Sequence, residues 1–122
     1  MILILGCSVL KTSEPGPARI VYAGRIVRLG VDYAKLMGYE CLILSGKYGL
    51  ITPDTIIEPY DMRLTKPYDG PWPQAEGAWI GSKDYFSKAP EHIRRYFPKS
   101  WSYGQQKGYL NRMVRPELYR LA

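Results

Sequence analysis

Residues 41–54 read Cys41-Leu42-Ile43-Leu44-Ser45-Gly46-Lys47-Tyr48-Gly49-Leu50-Ile51-Thr52-Pro53-Asp54. Four consecutive apolar residues run into a hydroxyl, an amine, a phenol and then a carboxylate. A short apolar run bounded by turn residues is the pattern of a strand buried on both faces. The chain does the same at its start, where Met1-Ile2-Leu3-Ile4-Leu5 is followed by Gly6-Cys7-Ser8-Val9-Leu10-Lys11. Ligands of open α/β folds sit just outside the carboxyl ends of the strands. Two such strands, parallel and adjacent, open both polar loops on one edge. Cys7, Ser8, Lys11, Ser45, Gly46, Lys47 and Tyr48 then line one crevice.

The segment between the two strands reads as their crossover. Pro17 suits the first turn of a helix, where its missing N–H has no partner to lose. Residues 18–37 carry Ile20, Ala23/Gly24, Val27, Val31, Ala34 and Met37 at three- and four-residue steps, which predicts one apolar face. Arg19, Arg25, Arg28, Asp32 and Lys35 fall mostly elsewhere, and Gly38 is the expected C-cap. Strand, helix and strand in succession give a right-handed βαβ unit. The expected class is therefore α/β, a small parallel sheet flanked by helices, in one domain over 1–122.

Beyond the second loop, Pro53, Pro59, Pro67, Pro71 and Pro73 make regular structure improbable over about 52–74. Structureless stretches of this length are usually functional or disordered, and Tyr60, Tyr68 and Trp72 favour an ordered flap. Ala78-Trp79-Ile80-Gly81 reads as a short third strand. Ser82 is placed to cap a helix through about residue 96, stopped or kinked near Pro90 and ended by Pro98. Residues 105–114 read as a last helix.

At 122 residues and 46% apolar composition the chain suits a globular domain with one core. No apolar run approaches the roughly 18 residues of a membrane span. No basic segment precedes the first apolar run, so a leader is not expected and a cytoplasmic location is. Cys7 and Cys41 form no metal motif, and His92 alone leaves too few further ligands for a zinc site. No metal and no cofactor is implied, and a reduced state is expected for both cysteines.

The net charge of +6 lies at one end. Residues 1–93 hold ten basic and ten acidic side chains, whereas 94–122 hold seven basic ones against Glu117. Those seven include Lys107, Arg112 and Arg115, and Trp101, Tyr103, Tyr109 and Tyr119 are interleaved with them. Basic groups neutralise phosphates and aromatic faces stack on bases, so nucleic-acid contact is one reading. A solvated basic helix with core aromatics is the other.

In the crevice, Lys47 and Lys11 are the first candidates for chemistry. A lysine at a strand end beside glycines holds phosphate as a point charge, although the full phosphate-loop signature is absent. A partly desolvated lysine becomes a nucleophile or base. Ser8 and Ser45 can donate to a phosphate or base edge, or cap local backbone. Cys7 is a nucleophile only beside a base, and a small buried cysteine is commoner. Asp54 and Asp61 are the nearest carboxylates, able to orient water or stabilise a cationic sugar, or simply to form turns.

Several pieces together resemble a family of small bacterial, archaeal and phage proteins related to the YaaA-type peroxide-stress proteins. They are Cys7-Ser8 with Lys11, Ala18-Arg19, Tyr22-Ala23-Gly24-Arg25, Leu44 through Ile51, Pro53-Asp54 and Pro59-Tyr60-Asp61. Ala78-Trp79-Ile80-Gly81, Asp84-Tyr85, Gly104 and Gly108 extend the likeness more weakly. Gly46 stands where that family commonly has Ala. The Cys-Ser…Lys element is also similar to one in archaeosine synthases, where it belongs to a domain resembling uracil-DNA glycosylases. The resemblance implies nucleobase chemistry, with DNA as the favoured partner over RNA. Lys47, Lys11, Asp61 and Asp54 would act on the N-glycosidic bond of a modified or damaged base. Cys7, Ser8, Ser45, Gly46, Tyr48, Tyr60 and Arg25 would hold it, and Tyr48, Tyr60 or Trp72 would stack on it or fill the gap it leaves. Two other readings stay open, a non-catalytic binding module and an enzyme of free nucleotides. A homodimer is one way for so short a chain to complete its pocket.

Overall fold

A computed structural model describes residues 1–7, 11–62, 67–74 and 76–119. The elements in chain order are β1 (Ile2–Gly6), β2 (Gly16–Pro17), α1 (Ala18–Val21), α2 (Arg25–Met37), β3 (Glu40–Ser45) and β4 (Gly49–Ile51). They continue as β5 (Ile56–Ile57), β6 (Gly77–Ile80), α3 (Lys83–Phe86), β7 (Ile93–Arg95) and α4 (Tyr103–Val114), with a 3₁₀ turn at Pro116–Tyr119. The molecule is a mixed α/β structure around a mostly parallel sheet flanked by helices. Strand order is β4-β3-β1-β6-β7, with only β4 antiparallel to its neighbour.

β1 is central and pairs on both sides, Leu5 opposite Ile43 of β3 and Ile80 of β6. Successive side chains of a strand point to opposite faces, and both faces here are apolar. Leu3, Leu5, Ile43, Ala78 and Ile80 pack under α1, α2 and α4. Ile4, Leu44 and Trp79 face the other way, against Tyr85, Ile93, Tyr68 and Trp72. This two-sided burial is why the sheet-forming runs are continuously apolar rather than alternating. Leu3, Ile4, Leu5, Ile43, Leu44 and Ile80 are all fully buried.

The expected helix over 18–37 is two helices. Tyr22 leaves helical geometry (ψ 99°) and forms a bridge with Lys11, and Gly24 becomes the N-cap of α2. The break is compensated locally, since Arg28 Nη2 donates to the Ile20 carbonyl and the Thr12 N–H to that of Val21. The jog turns the Tyr22 ring fully inward and leaves Ile20 at 43% exposure. Val27, Val31 and Ala34 form the buried face as expected, but Met37 is exposed. Gly38 caps α2, its N–H reaching the Ala34 and Lys35 carbonyls.

The helix expected from Ser82 to about 96 is a second correction. Ser82 Oγ does accept from the Tyr85 N–H, but α3 stops after one turn, and Ile93–Arg95 is a strand parallel to β6. Pro90 cannot continue a helix. The strand buries Ile93 against Ile4 and Trp79 and exposes Arg94.

The stretch after Ser45 is a tight turn rather than an open loop. Ser45 pairs with Gly49, Leu44 with Leu50 and Ile43 with Ile51, so the chain folds straight back. The proline-rich stretch is largely irregular where described, except that Ile56–Ile57 pairs antiparallel with Gly16–Pro17. Among the described residues no helix is long and apolar enough to cross a membrane.

Candidate functional site

The parallel pairing of β1 and β3 brings the chain after each strand to one edge, where the Cys7 N–H donates to the Leu44 carbonyl at 3.2 Å. At the end of β3 stands Ser45, 1% exposed. Its Oγ accepts from the Tyr48 N–H (3.0 Å) and the Lys47 N–H (3.2 Å), which folds the turn. Tyr22 OH donates to the same oxygen at 2.7 Å. Tyr60 OH lies 3.0 Å from Ser45 Oγ and 2.6 Å from Tyr22 OH, and accepts from the Gly46 N–H at 3.1 Å.

Each hydroxyl has one proton to give. With Tyr22 donating to Ser45, the remaining protons close a ring, Ser45 to Tyr60 and Tyr60 to Tyr22. Burial pushes both phenols above the usual tyrosine range, Tyr22 furthest. They therefore stay protonated and act as donors, not as bases. Ser45 is the hub of this ring and its hydroxyl is spent inside it.

Around the ring stand Lys11, Cys7, Lys47 and Tyr48. Lys11, set by its bridge with Tyr22, holds its ammonium 4.4 Å from the Tyr60 ring centroid and 5.9 Å from that of Tyr22. Cys7 is a half-buried free thiol just past the end of β1. Lys47 is exposed on the turn, its Nζ 5.2 Å from the Tyr48 ring. Tyr48 meets Tyr60 edge-on and its OH accepts from the Glu58 N–H, which ties the proline-rich segment to the hairpin.

Of the residues expected to line one crevice, the structure brings Cys7, Lys11, Ser45, Lys47 and Tyr48 to the same sheet edge, with Gly46 and Tyr60 beside them. Asp54 stands apart, 81% exposed and paired through Oδ1 with Arg19 Nε at 2.8 Å. Asp61 and Arg25 are exposed, the latter opening α2. Ser8 lies outside the described residues. In the basic C-terminal segment, Lys107 sits 5.2 Å from the Tyr103 ring, while Arg112 and Arg115 are exposed near the end of α4. Trp101 stacks on Phe97 at 5.0 Å, and Tyr109 packs against Tyr33, Phe97 and Trp101. Much of the aromatic content there seats α4 on α2. His92 is exposed with Nε2 at 2.8 Å from the Pro73 carbonyl oxygen. No three His, Cys, Asp or Glu side chains gather as a metal site among the described residues.

Sequence reasoning missed Tyr22 as a site residue, because a continuous helix would have pointed it elsewhere. It also missed the other side of β1. The chain passes from β1 to β3 on one side and later to β6 on the other, so strand order reverses beside β1. Such a switch point is where open sheets bind ligands. There Gly6 and Gly81 approach closely. A Cβ on Gly81 (φ +146°) would stand 3.1 Å from the Gly6 nitrogen. Gln106 of α4 clamps Gly81 by accepting from its N–H (3.1 Å) and donating to its carbonyl (3.3 Å). The glycine ending the third strand was the available signal.

Residues 2–72 match the model of a family of unknown function, DUF6884. The chain belongs to that family. The matched region spans β1 through the proline-rich segment and so contains the hydroxyl ring, both lysines and Cys7. No curated protein and no solved structure matches the chain.

Proposed function

We propose that the protein processes a nucleobase in DNA in a glycosylase-like manner, taking a modified or damaged base into the crevice at the ends of β1 and β3. One observation carries the reading: two amines, Lys11 and Lys47, and a free thiol stand around a rigid set of tyrosine rings at a sheet edge. Lysines hold phosphate, and tyrosine faces stack on a base that must leave the duplex to be reached. Tyr48 and Tyr60 supply those faces, while Ser45 and Tyr22 fix the turn that carries Lys47. As nucleophile, the Lys47 amine, its proton passed to water or Asp61, would attack C1′ of the sugar, the base leaving with the electrons of the N-glycosidic bond and taking up a proton. The C1′–O4′ bond then opens, O4′ takes up the second amine proton, and a Schiff base results. Asp61 is the exposed carboxylate left to assist. Arg112 and Arg115 would hold flanking phosphates. The likeness to YaaA-type proteins and to the glycosylase-like domain of archaeosine synthases supports the same reading, and with it a cytoplasmic place of action.

The pairing of Asp54 with Arg19 favours a second reading, a non-catalytic nucleic-acid-binding module. Incubation with DNA oligonucleotides that each carry one modified base separates the two. Base release abolished by Lys47→Ala or Asp61→Ala supports the enzyme, and borohydride trapping identifies the amine. Salt-dependent binding to every oligonucleotide without release supports the module.

A further inference from the structure

A shallow cleft opens on the same edge, at the carboxyl ends of β6 and β7. Its walls include Trp79, Gly81, Phe86, Arg95, Lys99 and Trp101, and none of its lining residues among those described is acidic. The Arg95 guanidinium lies 4.3 Å from the Phe86 ring centroid, which holds the planar donor fork at the wall. Lys99 is exposed, and neither cation has a carboxylate partner among the described residues. Trp101, half-buried, is backed by its stack on Phe97.

Two cations without counter-charge in a cleft beside indole rings call for an anion attached to a planar group. Arginine recognises phosphate through paired N–H donors, and lysine adds a point charge. Indole faces take bases without regard to sequence.

We infer that this cleft is a nucleotide-binding subsite, in which Arg95 and Lys99 hold a phosphate and Trp101 borders its base. The inference deepens the nucleic-acid reading above and rests on it for the class of probe. The phosphate belongs either to a free nucleotide or to the end of a strand.

Isothermal titration of the full chain with thymidine 5′-monophosphate, thymidine, inorganic phosphate and a 5′-phosphorylated oligothymidine tests it. The monophosphate is expected to bind about tenfold or more tighter than thymidine, as charge-assisted bonds to phosphate require. Lys99→Gln and Arg95→Gln each weaken it several-fold, while Lys35→Gln on the far end of α2 does not. Lys99 is exposed, so its variant keeps the test valid should Arg95→Gln fold poorly. Tighter binding of the monophosphate than of the oligonucleotide assigns the site to free nucleotides, and the reverse to a strand end. Equal affinity for thymidine and its monophosphate, affinity unchanged in both cleft variants, or no heat from any probe at millimolar concentration overturns the inference. None of these readouts needs base release, so failure here leaves the crevice reading standing, and failure of base release leaves the cleft.

Discussion

At the scale of single residues, the hydroxyl ring explains why a serine ends β3. Ser45 Oγ serves two backbone N–H groups and one phenol at once, and Tyr60 serves a third backbone N–H. Tyr22→Phe removes one donor from a buried ring and leaves acceptors unpaired, so it should lower unfolding free energy by about 1–3 kcal/mol in urea titration. The raised phenols make a pH prediction with a definite sign. The unfolded chain ionises first, at the usual tyrosine value of about 10, so the stabilisation is complete below that pH and is lost as pH rises beyond it. Stability measured from pH 8 upward should therefore fall above about 10, and less steeply in Tyr60→Phe. Burial also pushes the Cys41 thiol up to about 12. Alkylation followed by mass spectrometry at pH 8 should leave Cys41 largely unmodified, and rapid labelling there would contradict its burial. Ser45 and Lys47 were legible from their place after an apolar run. Tyr22 was not, because helical spacing continues through it and only the bridge to Lys11 reveals the break.

At the scale of elements, packing decided what local pattern left ambiguous. The strands β1, β3 and β6 and the cap at Gly38 were readable because continuous apolar runs and a terminal glycine each have one physical use. β7 was not readable. Ile93-Arg94-Arg95 is three residues long, and only the β6 edge and the apolar pocket of Ile4 and Trp79 make it a strand. The same holds for β4, whose existence depends on the Ser45 turn. The close approach of β1 and β6 gives the element-scale prediction. Gly81→Ala puts a Cβ at 3.1 Å from the Gly6 nitrogen in a backbone conformation that side chains rarely adopt. Thermal unfolding should show a loss on the order of 1–3 kcal/mol, and unchanged stability would mean that the two strand ends are not held together.

At the scale of the whole molecule, charge and fold divide the labour. The sheet edge gathers the reactive side chains, and the surplus of positive charge lies in the last quarter of the sequence. The aromatics of that quarter were expected to be shared between stacking on bases and forming core. Tyr109 and Phe97 are engaged in packing α4 on α2, so on the proposed function stacking on the extruded base is left to Tyr48 and Tyr60 in the crevice, while Trp101 borders the cleft of β6 and β7. Arg112 and Arg115 keep the exposure that phosphate contact requires. Replacing both by Gln should weaken DNA binding and shallow its salt dependence by about two charges, measured by fluorescence anisotropy across a salt series. An unchanged slope would place the phosphate contacts elsewhere.

The most direct test of a base-accepting crevice is backbone amide chemical-shift mapping during titration with a short duplex carrying a single modified base. The account predicts the largest shifts at Gly6, Cys7 and Gly46 through Tyr48, exceeding those with the unmodified duplex. Shifts confined to the end of α4 and identical for the two duplexes would contradict it.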